Sequence, residues 1–204
     1  MPLRRAAHFI HGLFTSTVKP EKRARERYLL PQEWERIRRF LDTQPPKVKT
    51  YFYVLLLEGP RMSEARYMEW THLDLDGGLW YKPITKTGRS HTIALSQWAC
   101  QMINDLPRKG RFVFYGEQPD LPWSRTAVLW HWRKIRKAAN CVDVQIRDLR
   151  RTCASWMAQH GENMFTIQKV LNHSSLSVTE VYARQDQTAV RKALNRHAER
   201  MMAR

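Results

Sequence analysis

Four short stretches carry side chains suited to handling a phosphodiester. Arg61 stands in Gly59-Pro60-Arg61-Met62-Ser63-Glu64-Ala65, and Lys86 in Thr85-Lys86-Thr87-Gly88. Arg147 and Arg150 share Arg147-Asp148-Leu149-Arg150-Arg151-Thr152. His173 follows Leu171-Asn172, and Tyr182 comes nine residues later. Arginine is a natural clamp for a phosphodiester, because its planar fork offers paired donors and stays charged at any relevant pH. A phosphoryl centre under attack gains negative charge on its nonbridging oxygens, and two arginines from different parts of a fold can hold both. Arg61 and Arg150 are the candidate pair. A tyrosine hydroxyl has a pKa of roughly 10 and is a poor nucleophile unless cations or a base ease its ionisation. Nearby arginines and His173 are the groups that could do so for Tyr182. Taken singly, each residue has an ordinary explanation. An arginine in so basic a chain is usually a solvated charge, and a helical tyrosine packs its ring and wets its hydroxyl.

The balance of charge points the same way. The chain has 204 residues and a formal net charge of +16. Such an excess repels itself in the folded state, and a polyanionic partner relieves it. Hydrophobic residues make up 43 %, enough for a packed core. The sequence carries no apolar run long enough to span a bilayer, no lipidation motif and no basic amphipathic helix at its start, so a nucleic acid is favoured over a membrane. No signal peptide is recognisable, and the three cysteines, Cys100, Cys141 and Cys153, have no paired spacing. That fits reduced thiols in a cytoplasm rather than a disulfide framework or a zinc site. None of the eight histidines falls in a metal-binding pattern.

The elements that must position these residues are largely helical. Residues 1–28 read as a basic arm or linker, residues 29–187 as the main domain, and residues 188–204 as an amphipathic C-terminal helix. Pro31 opens a helix with Trp34, Ile37 and Leu41 at helical spacing, ended by Pro45-Pro46. A more buried helix runs from about Lys47 to Glu58, stopped by Gly59-Pro60. A short helix starts at Ser63-Glu64 and reaches Trp70. The period then changes. Leu73-Asp74-Leu75, a turn at Asp76-Gly77-Gly78, Leu79 to Ile84, and His91 to Leu95 predict a small three-stranded antiparallel sheet. Lys86 and Arg89 lie on its second turn. Ser96 caps a helix carrying Trp98, Met102, Ile103 and Leu106, and Phe112-Val113-Phe114 is an apolar stretch of unassigned type. Ser124 caps a long basic helix to about Asn140. Helices follow from about Asp148 to His160, closed by Gly161, and from Met164 to Leu171. A short helix holds Tyr182, and the last runs from about Thr188 to Met202. The expected fold class is α+β, mainly α-helical, with a small three-stranded antiparallel sheet.

The four stretches in this order, with a helix–sheet–helix layout between them, resemble the catalytic domain of the tyrosine recombinases, the phage integrase family, from about Leu29 to Asp186. The resemblance implies roles. Arg61 resembles the family's first arginine, and Glu64 the acidic neighbour that supports the site from behind. Lys86 resembles the lysine on the turn between the second and third strands, the general acid that protonates the departing 5′ oxygen. Arg150 resembles the second arginine, His173 the residue that hydrogen-bonds the phosphate, and Tyr182 the nucleophile. Two positions depart from the family pattern. Arg147 stands where a histidine is usual. A guanidinium is a poor proton shuttle, so its remaining uses are to bind the phosphate or steady Tyr182. Asn172 stands where glycine is usual, and asparagine tolerates a left-handed backbone better than most residues. Members of the family generally carry a helical core-binding domain before the catalytic one, and the basic tail ahead of Pro31 fits either a fragment or a minimal recombinase that uses its tail or a partner for the other face of the duplex.

The implied reaction is strand cleavage through a 3′-phosphotyrosyl link, followed by attack of a 5′ hydroxyl that restores the backbone. The bond energy is kept in the link, so no metal, ATP or other cofactor is implied. The sequence agrees, having no phosphate-binding glycine loop and no carboxylate cluster suited to two metals. The expected partner is double-stranded DNA, bound with strong salt dependence. Lys86, Arg89, Arg125, Arg133, Arg136 and Arg151 are the candidate DNA contacts. A homo-oligomer on DNA is expected through the C-terminal helix, with no membrane association, in the cytoplasm and nucleoid of a bacterial or phage-infected cell. The competing reading is a recombinase-derived DNA-binding protein that has lost or weakened cleavage. A type IB topoisomerase and a basic RNA-binding protein rank below it.

Overall fold

A computed structural model describes residues 26–83 and 90–172 of the chain. Packed contacts begin at Arg27, inside the segment read as a basic arm. Its guanidinium pairs with Glu33 and Asp143. Leu29 is fully buried, its N–H donating to Thr152 Oγ1 at 2.8 Å while its carbonyl accepts from the Trp156 indole at 3.1 Å.

Helix α1 spans Pro31–Leu41 and buries Ile37 and Leu41. It ends before Pro45-Pro46, and those prolines act on the next element instead. Pro46 is the first residue of α2, Pro46–Leu57, where its fixed φ suits a helix start and its missing N–H costs nothing. Helix α2 is the centre of the body. Its continuous apolar run is buried around most of its circumference, with Val48, Tyr51, Phe52, Val54, Leu55 and Leu56 in the core. Tyr51 meets Phe52, Phe114 and Trp123 edge-on, with centroids 5.0 to 5.4 Å apart, and its hydroxyl donates to the Met62 carbonyl at 2.8 Å.

Helix α3, Met62–Arg66, stops short of the expected Trp70. Its chain is drawn out by pairing with the unassigned stretch. Val113 donates to the Met68 carbonyl and Trp70 to the Arg111 carbonyl, so a single bridge at Phe112 followed by a turn delivers Val113 and Phe114 to the core. A turn of 3-10 helix at Trp70–His72 leads into β1, Leu73–Asp74, then β2, Leu79–Lys82, and β3, His91–Ala94. The sheet is antiparallel in the order β1-β2-β3, with Trp80 opposite Ile93 and Lys82 opposite His91. Strand β2 ends at Lys82 because Pro83 cannot continue the ladder. Residues 84–89, which carry Lys86 and Arg89, lie outside the described residues.

Helix α4, Gln97–Asn104, and helix α5, Arg125–Ala138, begin at Ser96 and Ser124, whose hydroxyls accept from Ala99 and Ala127. Helix α5 faces the core with Val128, Trp132 and Ile135, while Trp130 is about half exposed. Helix α6, Ile146–Gln159, starts two residues earlier than the sequence suggested, since the buried Asp148 carboxylate accepts the Gln145 N–H at 2.8 Å and closes the first turn. Gly161 follows it with φ +87°. Helix α7 covers Met164–Leu171 as expected. The expected helices around Tyr182 and after Thr188 lie outside the described residues. Among the described residues, no helix is long and apolar enough to cross a membrane.

Glu58, at the end of α2, is a buried carboxylate. Burial pushes its carboxyl above the usual range, although the Ser96 hydroxyl and N–H, at 2.6 and 3.2 Å, pull the other way. A raised carboxyl favours the folded state while protonated and loses that advantage as pH rises from the unfolded glutamate value, about 4.3. Glu58→Gln keeps an acceptor for Ser96 without the charge. It should stabilise the fold by about 1 kcal/mol at pH 8, with the gain vanishing below pH ~4, as read by urea unfolding across pH.

Candidate active site

The site forms where the end of α2, the start of α3, strand β2, helix α6 and the end of α7 converge. Gly59 reverses the chain after α2 with φ +62°. A side chain there would be doubly opposed. The backbone is left-handed, and a Cβ would lie 2.8 Å from Leu171 Cδ2 and 3.2 Å from Cys153 Sγ. Burial pushes the Cys153 thiol up to about 12, so it packs rather than reacts.

Arg61 caps α3 from outside the helix. Its N–H donates to Glu64 Oε2 at 2.8 Å, and its Nη1 to Glu64 Oε1 at 3.0 Å. The Arg61 side chain is 53 % exposed while that of Glu64 is 16 % exposed, so the carboxylate holds the guanidinium from behind and leaves its outer side to solvent. Arg150 is partly enclosed on α6. One of its η nitrogens donates to the Gly59 carbonyl at 2.5 Å and the other to the Leu171 carbonyl. The Leu171 carbonyl ends α7, where it lacks a helical partner and carries the negative end of the helix dipole, and the Gly59 carbonyl lies in the turn just past α2. Arg150 thereby joins the stretch containing Arg61 to the stretch that continues into His173. Asn172 closes α7 with φ 49° and ψ 52°, the left-handed backbone that asparagine was expected to tolerate.

Arg147 lies exposed in the first turn of α6, one turn before Arg150. The other arginines divide into two groups. Arg125 and Arg133 are exposed on α5. Arg136 donates to the Val144 carbonyl at 3.1 Å, and Arg151 pairs with the fully buried Asp148 at 2.9 Å, so both brace the fold. Lys86, Arg89, His173 and Tyr182 lie outside the described residues.

Sequence reasoning missed Lys82 and His91. Lys82 Nζ sits 2.8 Å from Glu64 Oε1 with its side chain only 10 % exposed, an ion pair by distance rather than an aligned hydrogen bond. It also lies 5.4 Å from the centre of the Trp80 ring. Burial lowers the Lys82 ammonium below the ordinary lysine range; Glu64 works against that, and Arg61 and Arg150 add to it. Burial also pushes Glu64 up, but Lys82 and the Arg61 N–H and guanidinium outweigh it and hold the carboxyl below its ordinary value. His91, across the ladder, is held below its usual value by burial and by Lys82. The missed signal was the alternation of β2: with Trp80 inward, Lys82 two residues on must point inward too. Among the described residues, no three His, Cys, Asp or Glu side chains come together as a metal site.

The fold of helices around a small antiparallel sheet is shared with solved recombinases and integrases. The Tn1549 transposon integrase, solved with transposon right end DNA, superposes with a TM-score of 0.71 over 88 % of this chain and 68 % of that one, at 19 % identity. Residues 27–189 match the Phage integrase family, and the chain belongs to that family. It is 27 % identical over 179 residues to the integrase of Salmonella phage P22, covering 81 % of this chain and 46 % of that protein. It is 23 % identical over 170 residues to the tyrosine recombinase XerD of Vibrio cholerae, covering 76 % of this chain and 56 % of that protein. The chain thus spans about half the length of these relatives.

The double constraint at Gly59 is open to direct test. Gly59→Ala should lower stability by about 2–4 kcal/mol in urea unfolding, from left-handed strain plus the clash with Leu171 and Cys153. Asn172→Gly should stay within about 0.5 kcal/mol of the parent, because glycine adopts the same backbone freely but gains entropy when unfolded.

Proposed function

We propose that this chain is the catalytic part of a site-specific DNA recombinase, cutting and rejoining strands through a 3′-phosphotyrosyl link. Tyr182 attacks the phosphorus, Arg61 and Arg150 hold the nonbridging oxygens, and Lys86 protonates the departing 5′ oxygen. His173 hydrogen-bonds the phosphate. Arg147 binds it from the α6 side or steadies the tyrosine, since a guanidinium cannot shuttle a proton. A 5′ hydroxyl of a partner strand then displaces the tyrosine. The phosphate ester is exchanged at each step, so the reaction needs neither ATP nor a metal.

The observation that carries this reading is the meeting of Arg61 and Arg150. They come from separate stretches, yet Gly59, two residues before Arg61, is bonded directly to Arg150. Two fixed guanidinium groups at one junction are a preorganised clamp for charge that develops on phosphate oxygens. Family membership supports the same reading, as do relatives named integrase and tyrosine recombinase. The partner is double-stranded DNA; the structurally similar Tn1549 integrase was solved with transposon right end DNA. Exposed Arg125 and Arg133 on α5, with Lys86 and Arg89 on the strand turn, supply phosphate contacts. The segment after Thr188 docks on a neighbouring protomer, and the protein works with chromosomal or phage DNA in a bacterial cell.

The test is a set of nicked duplexes tiled across the DNA that flanks the chain's own coding sequence, incubated with protein and resolved on a denaturing gel. A protein-linked DNA band should form, and Tyr182→Phe should abolish it. Arg150→Lys should slow its formation about 100-fold, since an ammonium cannot span both helix ends and the phosphate as a planar fork does. Retarded DNA with no covalent band from any duplex would instead establish a DNA-binding protein without cleavage.

A further inference from the structure

The ion pair beneath Arg61 has one more cation than the carboxylate requires. Glu64 already accepts from the Arg61 N–H and guanidinium. A neutral donor would satisfy what remains of it. The chain instead places an ammonium there, on an inward strand position against Trp80. The surroundings are unfavourable to it. Arg61 and Arg150 both lower its affinity for a proton, and His91, its cross-strand neighbour, is kept from charging by burial and by Lys82 itself. His91 Nε2 is buried and meets no hydrogen-bond partner among the described residues. A buried ammonium facing Glu64 from α3, Arg61 from its cap, Arg150 from α6 and His91 from β3 is costly to maintain. That cost points to a use for the charge.

We propose that Lys82 is a positioning residue for Arg61: it offsets the charge of Glu64, so that Arg61 meets a DNA phosphate with its own charge uncancelled. The inference rests on the recombinase reading for its phosphate. Counted formally, Arg61, Arg150 and Lys82 against Glu64 leave two positive charges at the junction. Without Lys82, Glu64 draws on Arg61 alone and one is left. Lys82 is too enclosed to touch the DNA, so it acts through Glu64 and the local field. A phosphate bound between the arginines also relieves the repulsion that Lys82 feels, so ammonium and phosphate favour one another.

Four proteins in the full chain decide it: the parent, Lys82→Met, Glu64→Gln and the double variant. Each is checked for folding by thermal melt. Binding is measured in a Tyr182→Phe background with a fluorescein-labelled 30-base-pair duplex, and adduct formation with Tyr182 intact on the nicked duplexes above. Lys82→Met should weaken binding about tenfold, with the defect shrinking as salt rises. Lys82→Met/Glu64→Gln should recover to within about threefold of the parent, because both charges leave together. Adduct rates should follow the same order. A merely structural lysine predicts a double variant no better than Lys82→Met, and that result, or parental binding by Lys82→Met, overturns the proposal. Should Lys82→Met fail to fold, Lys82→Gln with and without Glu64→Gln decides it by the same comparison. If the parent binds but forms no adduct, the cleavage reading fails while the binding comparison still judges Lys82.

Discussion

The junction of this protein depends on one guanidinium between two helix ends. Arg150 donates to the carbonyl just past α2 and to the last carbonyl of α7. Each acceptor lacks a helical partner and carries partial negative charge, so a fixed cation answers both needs at once. Hydrogen bonds to charged groups contribute more than neutral ones, and leaving such carbonyls unmet would cost about 1–3 kcal/mol each. The bond to Gly59 sets where Arg61 emerges, and the bond to Leu171 fixes the end of α7. A side chain proposed to grip phosphate is therefore also a brace that ties the stretch holding Arg61 to the end of α7.

That brace works only because the elements can approach closely. Gly59 has no Cβ, so Leu171 and Cys153 pack directly over it. Beneath it, α2 is buried on nearly every side, and Tyr51 is locked by three aromatic edges and a hydrogen bond to the Met62 carbonyl at the start of α3. Close-packed interiors of this kind yield little, so the Arg61 cap and the Arg150 bridge are referred to one rigid body. Loss of packing far from the arginines would be felt as misplacement of charge rather than as loss of a chemical group.

Charge is arranged in depth. Exposed cations face outward: Arg61, Arg147, Arg125 and Arg133. Behind Arg61 lies Glu64, and behind Glu64 lies Lys82. The alternation of sign lets three cations crowd one junction without leaving a buried charge unpaired. Arg136 and Arg151, equally basic in sequence, turn inward to a carbonyl and to Asp148 and serve the fold.

Much of this was legible in the chain. The proline-led starts, the serine caps, the glycine turns and the change from helical to alternating period are local effects, and they determined the elements and their order. The one apolar stretch that resisted assignment, residues 112–114, takes its conformation from pairing with Met68 and Trp70, which no local pattern encodes. The same limit governed charge. Sequence marked Arg61, Glu64 and Arg150 through the stretches they stand in, but a lysine or arginine has the same composition whether it faces water or a carboxylate. Tertiary structure decided that Arg150 bridges two helix ends. It also decided that Lys82 lies beneath Arg61, because each partner comes from a distant part of the chain and only packing brings them together.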